Sequence, residues 1–213
     1  MFAFIENGLQ LAVTCFCAVI AFYYGVTHKQ RIWVMLGLFF GIFFLGDLYY
    51  QLYIIFYNNA TPVFYVSDYS WYTAYLFLLM VLIEINIKSS KNYEFRLRPA
   101  FLLIPAFTLG ISTFYYVLRG DLFGNLVTLI LMTGLIWHAV YGLNYIREHP
   151  EQGSNRRMMF VVTLLFCGTE YAMWTSSCFW MGETIWNIYY WFDILLSVSF
   201  LLFLPATRKV VNG

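Results

Sequence analysis

Lys29-Gln30-Arg31 runs without a break into Ile32-Trp33-Val34-Met35-Leu36-Gly37-Leu38-Phe39-Phe40-Gly41-Ile42-Phe43-Phe44-Leu45-Gly46-Asp47. Two cations, then a long uncharged stretch, then a lone acid well short of the end of the apolar run at residue 57 describe a bilayer-spanning helix with an ionisable group inside it. Six other apolar runs share this character, giving the set 7–27, 32–57, 69–87, 99–118, 122–146, 158–180 and 185–207. Each is close to or above the roughly 20 residues that a helix needs to cross the hydrocarbon core. Strand-like alternation is absent, so the spans must satisfy their own backbone hydrogen bonds as helices.

The charges order these spans. Lys29 and Arg31 follow the first run, Lys88, Lys91, Arg96 and Arg98 the third, Arg147, Arg156 and Arg157 the fifth, and Arg208 and Lys209 the last. The alternate gaps hold Asp68, Asp121 and Glu183, with Arg119 the lone exception. Lysine and arginine are retained on the cytoplasmic side during insertion. The expected fold class is therefore all-α, a single seven-helix transmembrane bundle over 1–213, with the N-terminus outside and the C-terminus cytoplasmic. The expected location is the cell membrane, with the lipid bilayer as the first partner.

Composition excludes several alternatives. The chain is 62% hydrophobic and 11% charged, with a mean hydropathy of +0.69, outside the range of soluble globular domains. Spans and short loops consume nearly all 213 residues and leave no room for a soluble domain. A net charge of +1 offers no nucleic-acid surface. Cys15, Cys17, Cys167 and Cys178 show no metal-ligand or redox spacing, so neither a metal nor another cofactor is expected. The first run lacks a basic leader and a cleavage site and is preceded by Glu6, which reads as a retained helix. Asn59-Ala60-Thr61 forms a glycosylation sequon in an outside gap.

Four acids fall inside spans: Asp47, Glu84, Glu170 and Asp193. An ionisable group at bilayer depth costs roughly 2.5–3.5 kcal/mol on insertion scales, so each is expected to face the interior and to have a partner. Counting about 1.5 Å per residue from the helix entrances puts Asp47 about 22 Å and Glu170 about 18 Å from the cytoplasmic face. The same count puts Asp193 about 12 Å from the outer one. These three share a layer from the mid-plane outward. Glu84 stands four residues before Lys88 and can pair with it along the helix, or with His138 on the fifth span. Three acids with no cation at their depth cannot all carry charge cheaply. The layer therefore reads either as a site for acid–base chemistry or ion binding, or as protonated acids that hold the helices in register.

Aromatic residues make up 22% of the chain. Trp33, Trp71, Tyr72, Trp180 and Trp186 sit at run ends, where an interfacial belt belongs. Tyr49, Tyr50 and Tyr53 follow Asp47, Tyr189, Tyr190 and Trp191 precede Asp193, and Trp174 follows Glu170. The plainer reading is belt and packing; the sharper one is an aromatic-lined pocket around the acids in the outer half of the bundle. Pro105 is expected to kink the fourth helix or to mark close packing. Gly37 and Gly41 are expected to admit a neighbouring helix closely, within the monomer.

Three segments resemble the lysoplasmalogenase-like (YhhN) membrane family. Leu45-Gly46-Asp47 closes an apolar stretch as the family's Gly-Asp does, Phe166-Cys167-Gly168-Thr169-Glu170 is similar to its Phe-x-x-Ser-Asp, and Tyr189-Tyr190-Trp191-Phe192-Asp193 to its Tyr-Tyr-x-x-Gln. Their order and separation agree over helices two to seven. This chain has Glu170 in place of Asp and Asp193 in place of Gln, has Tyr75 near the place of a family His, and lacks one of eight crossings. The resemblance implies a hydrolase of the vinyl-ether bond of lysolipids. Asp47 and Glu170 would then be catalytic, and Asp193, Tyr190, Tyr50 and Trp174 would contact the lysolipid or another small apolar ligand. Two other functions fit the same residues: a non-enzymatic seven-helix sensory module and a proton- or cation-coupled carrier. Covalent retinal binding is excluded, because Lys29, Lys88, Lys91 and Lys209 all lie at or beyond span ends.

Overall fold

Backbone amides buried in hydrocarbon must pair within their own segment, and the seven runs do so as helices. The computed structural model describes residues 2–57, 66–89, 99–180, 182 and 184–212. Lys91, Arg96, Arg98, Glu183 and the Asn59-Ala60-Thr61 sequon lie outside the described residues. The long helices are α1 (Phe2–His28), α2 (Arg31–Tyr57), α3 (Val66–Ser89), α4 (Leu103–Arg119), α5 (Leu122–Glu148), α6 (Arg157–Phe179) and α7 (Ile188–Asn212). A 3-10 turn, Pro99–Leu102, leads into α4, and the short turns Pro150–Gly153 and Ser154–Arg156 join α5 to α6. Seven segments are long and apolar enough to cross a membrane, and no strand occurs among the described residues.

Helix ends follow local chemistry. The α1–α2 turn is closed by Lys29 in the left-handed region, φ 53°, with the Gln30 amide donating to the Gly25 carbonyl at 3.3 Å. Asp121 caps α5 by accepting from the Gly124 amide at 3.0 Å. Asn187 caps α7, its Oδ1 accepting the Tyr189 amide at 3.0 Å while its Nδ2 donates to the Gly182 carbonyl at 2.9 Å. Pro105 lies in the first turn of α4, where a missing N–H removes no helical bond, so it starts the helix rather than kinking it. The proline that does sit inside a helix is Pro205 of α7.

Six helices close a ring, packing in the order α1–α2–α3–α5–α6–α7 and back to α1, while α4 lies against α5 from outside. The α1–α2 contact depends on Gly37: a Cβ there would come within 2.8 Å of the Phe22 ring, which lies over Gly37 and Gly41. Buried residues line the middle of the ring. Phe39, Phe40 and Phe43 of α2 meet Phe166 of α6 and Phe200 and Phe203 of α7, with Phe39–Phe166 and Phe40–Phe200 both at 5.9 Å and 88°. Such edge-on pairs contribute roughly 0.5–1.5 kcal/mol each beyond burial.

The outside is apolar. Phe56 and Val117 are exposed, as are Ile130 and Val19, whereas Gln10, Thr14, Asn86, Thr108, Thr163 and Ser199 are buried. That inversion of the usual distribution suits a chain dissolved in lipid. The N-terminal ends of α1, α3, α5 and α7 gather with the C-terminal ends of α2, α4 and α6 to form the acid end of the bundle. The opposite, basic end carries Lys29, Arg31, Lys88, Arg147, Arg156, Arg157, Arg208 and Lys209.

Candidate functional site

Of the acids inside the spans, Glu84 is accounted for structurally. It pairs with Lys88 one turn on at 3.0 Å. His138 is engaged elsewhere: Asn86 Nδ2 donates to its backbone carbonyl at 3.0 Å and lies 3.3 Å from its Nδ1.

The other three acids are 1–5% exposed at the acid-end half of the ring, and each accepts a hydrogen bond from a helix other than its own. Trp71 of α3 donates its indole N–H to Asp47 Oδ1 at 2.9 Å. Tyr75, one turn further along α3, donates its hydroxyl to Glu170 Oε1 at 2.8 Å. Glu170 Oε2 accepts from Trp174 Nε1 at 3.2 Å. Gln10 of α1 donates Nε2 to Asp193 Oδ1 at 2.8 Å. Thus α3 bridges α2 to α6, and α1 holds α7.

Gly46 sets the first of these contacts. A Cβ at that position would meet Ser70 Cβ and Trp71 Nε1 at 3.0 Å, so its hydrogen side chain lets α3 come close enough for the indole to reach the next residue, Asp47. The Asn187 cap starts α7 so that Tyr189, Tyr190 and Asp193 fall within its first two turns.

A fourth carboxyl joins them. Glu6 lies inside α1 rather than ahead of it, is 3% exposed, and sits one turn before Gln10. Its carboxyl neighbours that of Asp193. Two buried carboxyls side by side are favoured when they hold one proton between them.

Among the described residues several polar atoms in and beside this layer are buried without a partner: Asp47 Oδ2, Gln51 Nε2 and Ser197 Oγ. Gln51 follows Asp47 by one helical turn, and Ser197 follows Asp193 by one. Glu170, by contrast, has both oxygens occupied. Among the described residues no set of three or more His, Cys, Asp or Glu side chains is arranged to hold a metal ion.

The aromatic residues divide. Trp71 and Tyr75 serve the acids, and the ring of Tyr50 lies 6.1 Å from that of Trp71. Tyr190 is buried edge-on to Tyr189 at 5.7 Å. Trp174 is half exposed and carries the Arg119 guanidinium over its ring at 5.7 Å, while Arg119 Nη2 donates to Ser177 Oγ at 2.8 Å. The one cation that breaks the charge alternation is thus tied to the indole that holds Glu170. Trp33, expected in the interfacial belt, is 3% exposed and stacks on Tyr24 at 5.1 Å.

Spacing pointed to Asp47, Glu170 and Asp193 but not to Glu6, Gln10, Trp71 or Tyr75. The one signal available for Glu6 was its i, i+4 relation to Gln10 on a helix begun earlier than the apolar run. Comparison with protein-family models, curated proteins and solved structures finds no match.

Proposed function

We propose that this chain is a multi-pass membrane protein, N-terminus outside and C-terminus cytoplasmic, whose carboxyl layer performs acid–base chemistry on a lipid-borne substrate. The observation that carries this reading is the four-carboxyl layer, in which Asp47 Oδ2 is buried without a partner and Glu6 neighbours Asp193. A purely structural layer would be expected to satisfy its own polar atoms, because each orphan costs about 1–3 kcal/mol. An unmet oxygen beside a proton-sharing pair suits a site that receives water and substrate.

The resemblance to lysoplasmalogenase-like proteins supplies the reaction class, hydrolysis of a vinyl ether. The Glu6–Asp193 pair gives its proton to the alkenyl carbon, leaving an oxocarbenium ion. Asp47 Oδ2 takes a proton from the attacking water, whose oxygen bonds to the cationic carbon. The hemiacetal then splits into an alcohol and an aldehyde, and the proton returns from Asp47 to the pair. Glu170, held by Tyr75 and Trp174, faces the developing positive charge as a fixed counter-charge. Tyr50 and Tyr190 flank the substrate. Catalysis thereby moves from an Asp47–Glu170 pair to Asp47 with the Glu6–Asp193 pair.

The test is hydrolysis of lysoplasmalogen by purified protein. Asp47→Asn and Glu6→Gln should each lower kcat about 10²-fold or more, the range of a positioned acid or base. Wild-type rates in either variant would sink the assignment. The packed phenylalanines between this layer and the basic end argue against an ion path and so against a carrier.

A further inference from the structure

At the basic end, away from the acid layer, a cavity of about 240 Å³ opens between the ends of α1, α2 and α7. Its lining is Tyr24, His28, Gln30, Trp33, Arg208, Val211 and Asn212. The wall is aromatic: Tyr24 stacks on Trp33 at 5.1 Å and on His28 at 5.6 Å, the latter pair within 14° of parallel. The polar members are a guanidinium, an imidazole, two amides, a phenol and an indole, with no carboxylate in the lining. Among the described residues the Trp33 N–H, although its side chain is buried, donates to no protein group, and Arg208 has no acidic partner. A second, more open hollow lined by Asn155, Pro205, Arg208, Lys209 and Asn212 shares Arg208 and Asn212 with the first and extends the positive surface.

A concave set of donors with a cation at its rim and no competing acid selects an anion. The volume is below the roughly 300–1,000 Å³ of pockets that enclose a whole drug-sized molecule, and suits a headgroup. The cavity lies where cytoplasmic helix ends meet the headgroup region, if the chain crosses the bilayer as proposed above. Basic hollows between transmembrane helices on that side recognise anionic lipid headgroups. We infer that the hollow between the ends of α1, α2 and α7 binds the phosphate of an anionic phospholipid. Arg208 and His28 take the phosphate oxygens, the Trp33 N–H adds a donor from the floor, and Gln30 and Asn212 meet the headgroup's hydroxyls. This rests on the bilayer reading alone and is independent of the hydrolytic one.

Native mass spectrometry of the full chain, titrated with phosphatidylglycerol or phosphatidylcholine, tests it. The expected result is one retained phosphatidylglycerol and weaker retention of phosphatidylcholine. Arg208→Gln should weaken phosphatidylglycerol binding about fivefold, the effect of one cation at a membrane surface. Trp33→Phe, which keeps the ring and removes the donor, should weaken it in the same direction. Arg147→Gln, an exposed cation at the same end outside the cavity, should leave it unchanged. Equal retention of the two lipids, or equal losses for Arg208→Gln and Arg147→Gln, overturns the inference. Displacement of the lipid by millimolar inorganic phosphate overturns it too, since the hollow would then serve a soluble anion.

Discussion

Among the described residues Trp71 is the one donor to Asp47, and the consequence is measurable. Trp71→Phe keeps the ring contact with Phe43 but leaves both Asp47 oxygens unmet. The expected loss of stability is about 1–3 kcal/mol, the cost of one buried orphan, read from unfolding in mixed detergent micelles. Lys29 offers the opposite change. It holds φ 53°, so Lys29→Gly should stabilise the α1–α2 turn by about 1 kcal/mol, because a side chain in the left-handed region is strained. Under the proposed orientation the lysine is one of the cytoplasmic cations. At this scale the sequence was legible where an unusual residue interrupts a monotone run. Asp47, Glu170 and Asp193 stand out because they are charged among apolar neighbours. Glu6 lies at the edge of an apolar run and reads as a flank, Gln10 is uncharged, Trp71 reads as interfacial belt, and Tyr75 is marked only by the resemblance, near the place of a histidine. A donor's partner depends on which way a helix is turned, which no single residue announces.

Elements convert those residues into a site through close approach. α3 is the bracket of the acid layer because Trp71 and Tyr75 lie one turn apart on one face and reach acids on two different helices. Its placement depends on Gly46, and the α1–α2 hairpin depends on Gly37. Gly37→Ala should destabilise the protein by about 1–3 kcal/mol through overpacking against Phe22. The double change Gly37→Ala with Phe22→Leu should recover most of that loss. If the single change is neutral, the hairpin does not rest on this contact. The apolar runs marked the helices to within a few residues, and small-xxx-small spacing on α2 marked a close approach. The runs began α1 too late and ended α7 too early, because helices continue past the apolar stretch wherever caps and side chains satisfy their ends. Arg208, Lys209 and Asn212 therefore belong to a helix and line a hollow, which a tail would not do.

For the whole molecule, the alternation of charge along the chain becomes a polarity between two ends. One end holds four buried carboxyls above a floor of packed phenylalanine rings; the other holds nearly all the described cations. The proposed orientation puts the basic end in the cytoplasm, because cations are retained on that side during insertion. The gathering of the cations at one end was readable in the sequence, since it follows from the number of helices and the spacing of charges and not from tertiary contacts. The ring order α1–α2–α3–α5–α6–α7, with α4 outside, was not readable, because every run is apolar all round and none reveals which face it buries. Single reporter cysteines test the polarity in a background with Cys15 and Cys178 changed to serine, which leaves the buried Cys17 and Cys167. Trp186, 84% exposed in the turn before α7, reports the acid end, and Arg147, exposed near the end of α5, reports the basic end. In sealed vesicles with the cytosolic face outward, an impermeant maleimide should label Arg147→Cys at once and Trp186→Cys only after detergent. The reverse order would invert the molecule and remove the cytoplasmic lipid site. Labelling of both without detergent would mean that the chain does not separate two compartments.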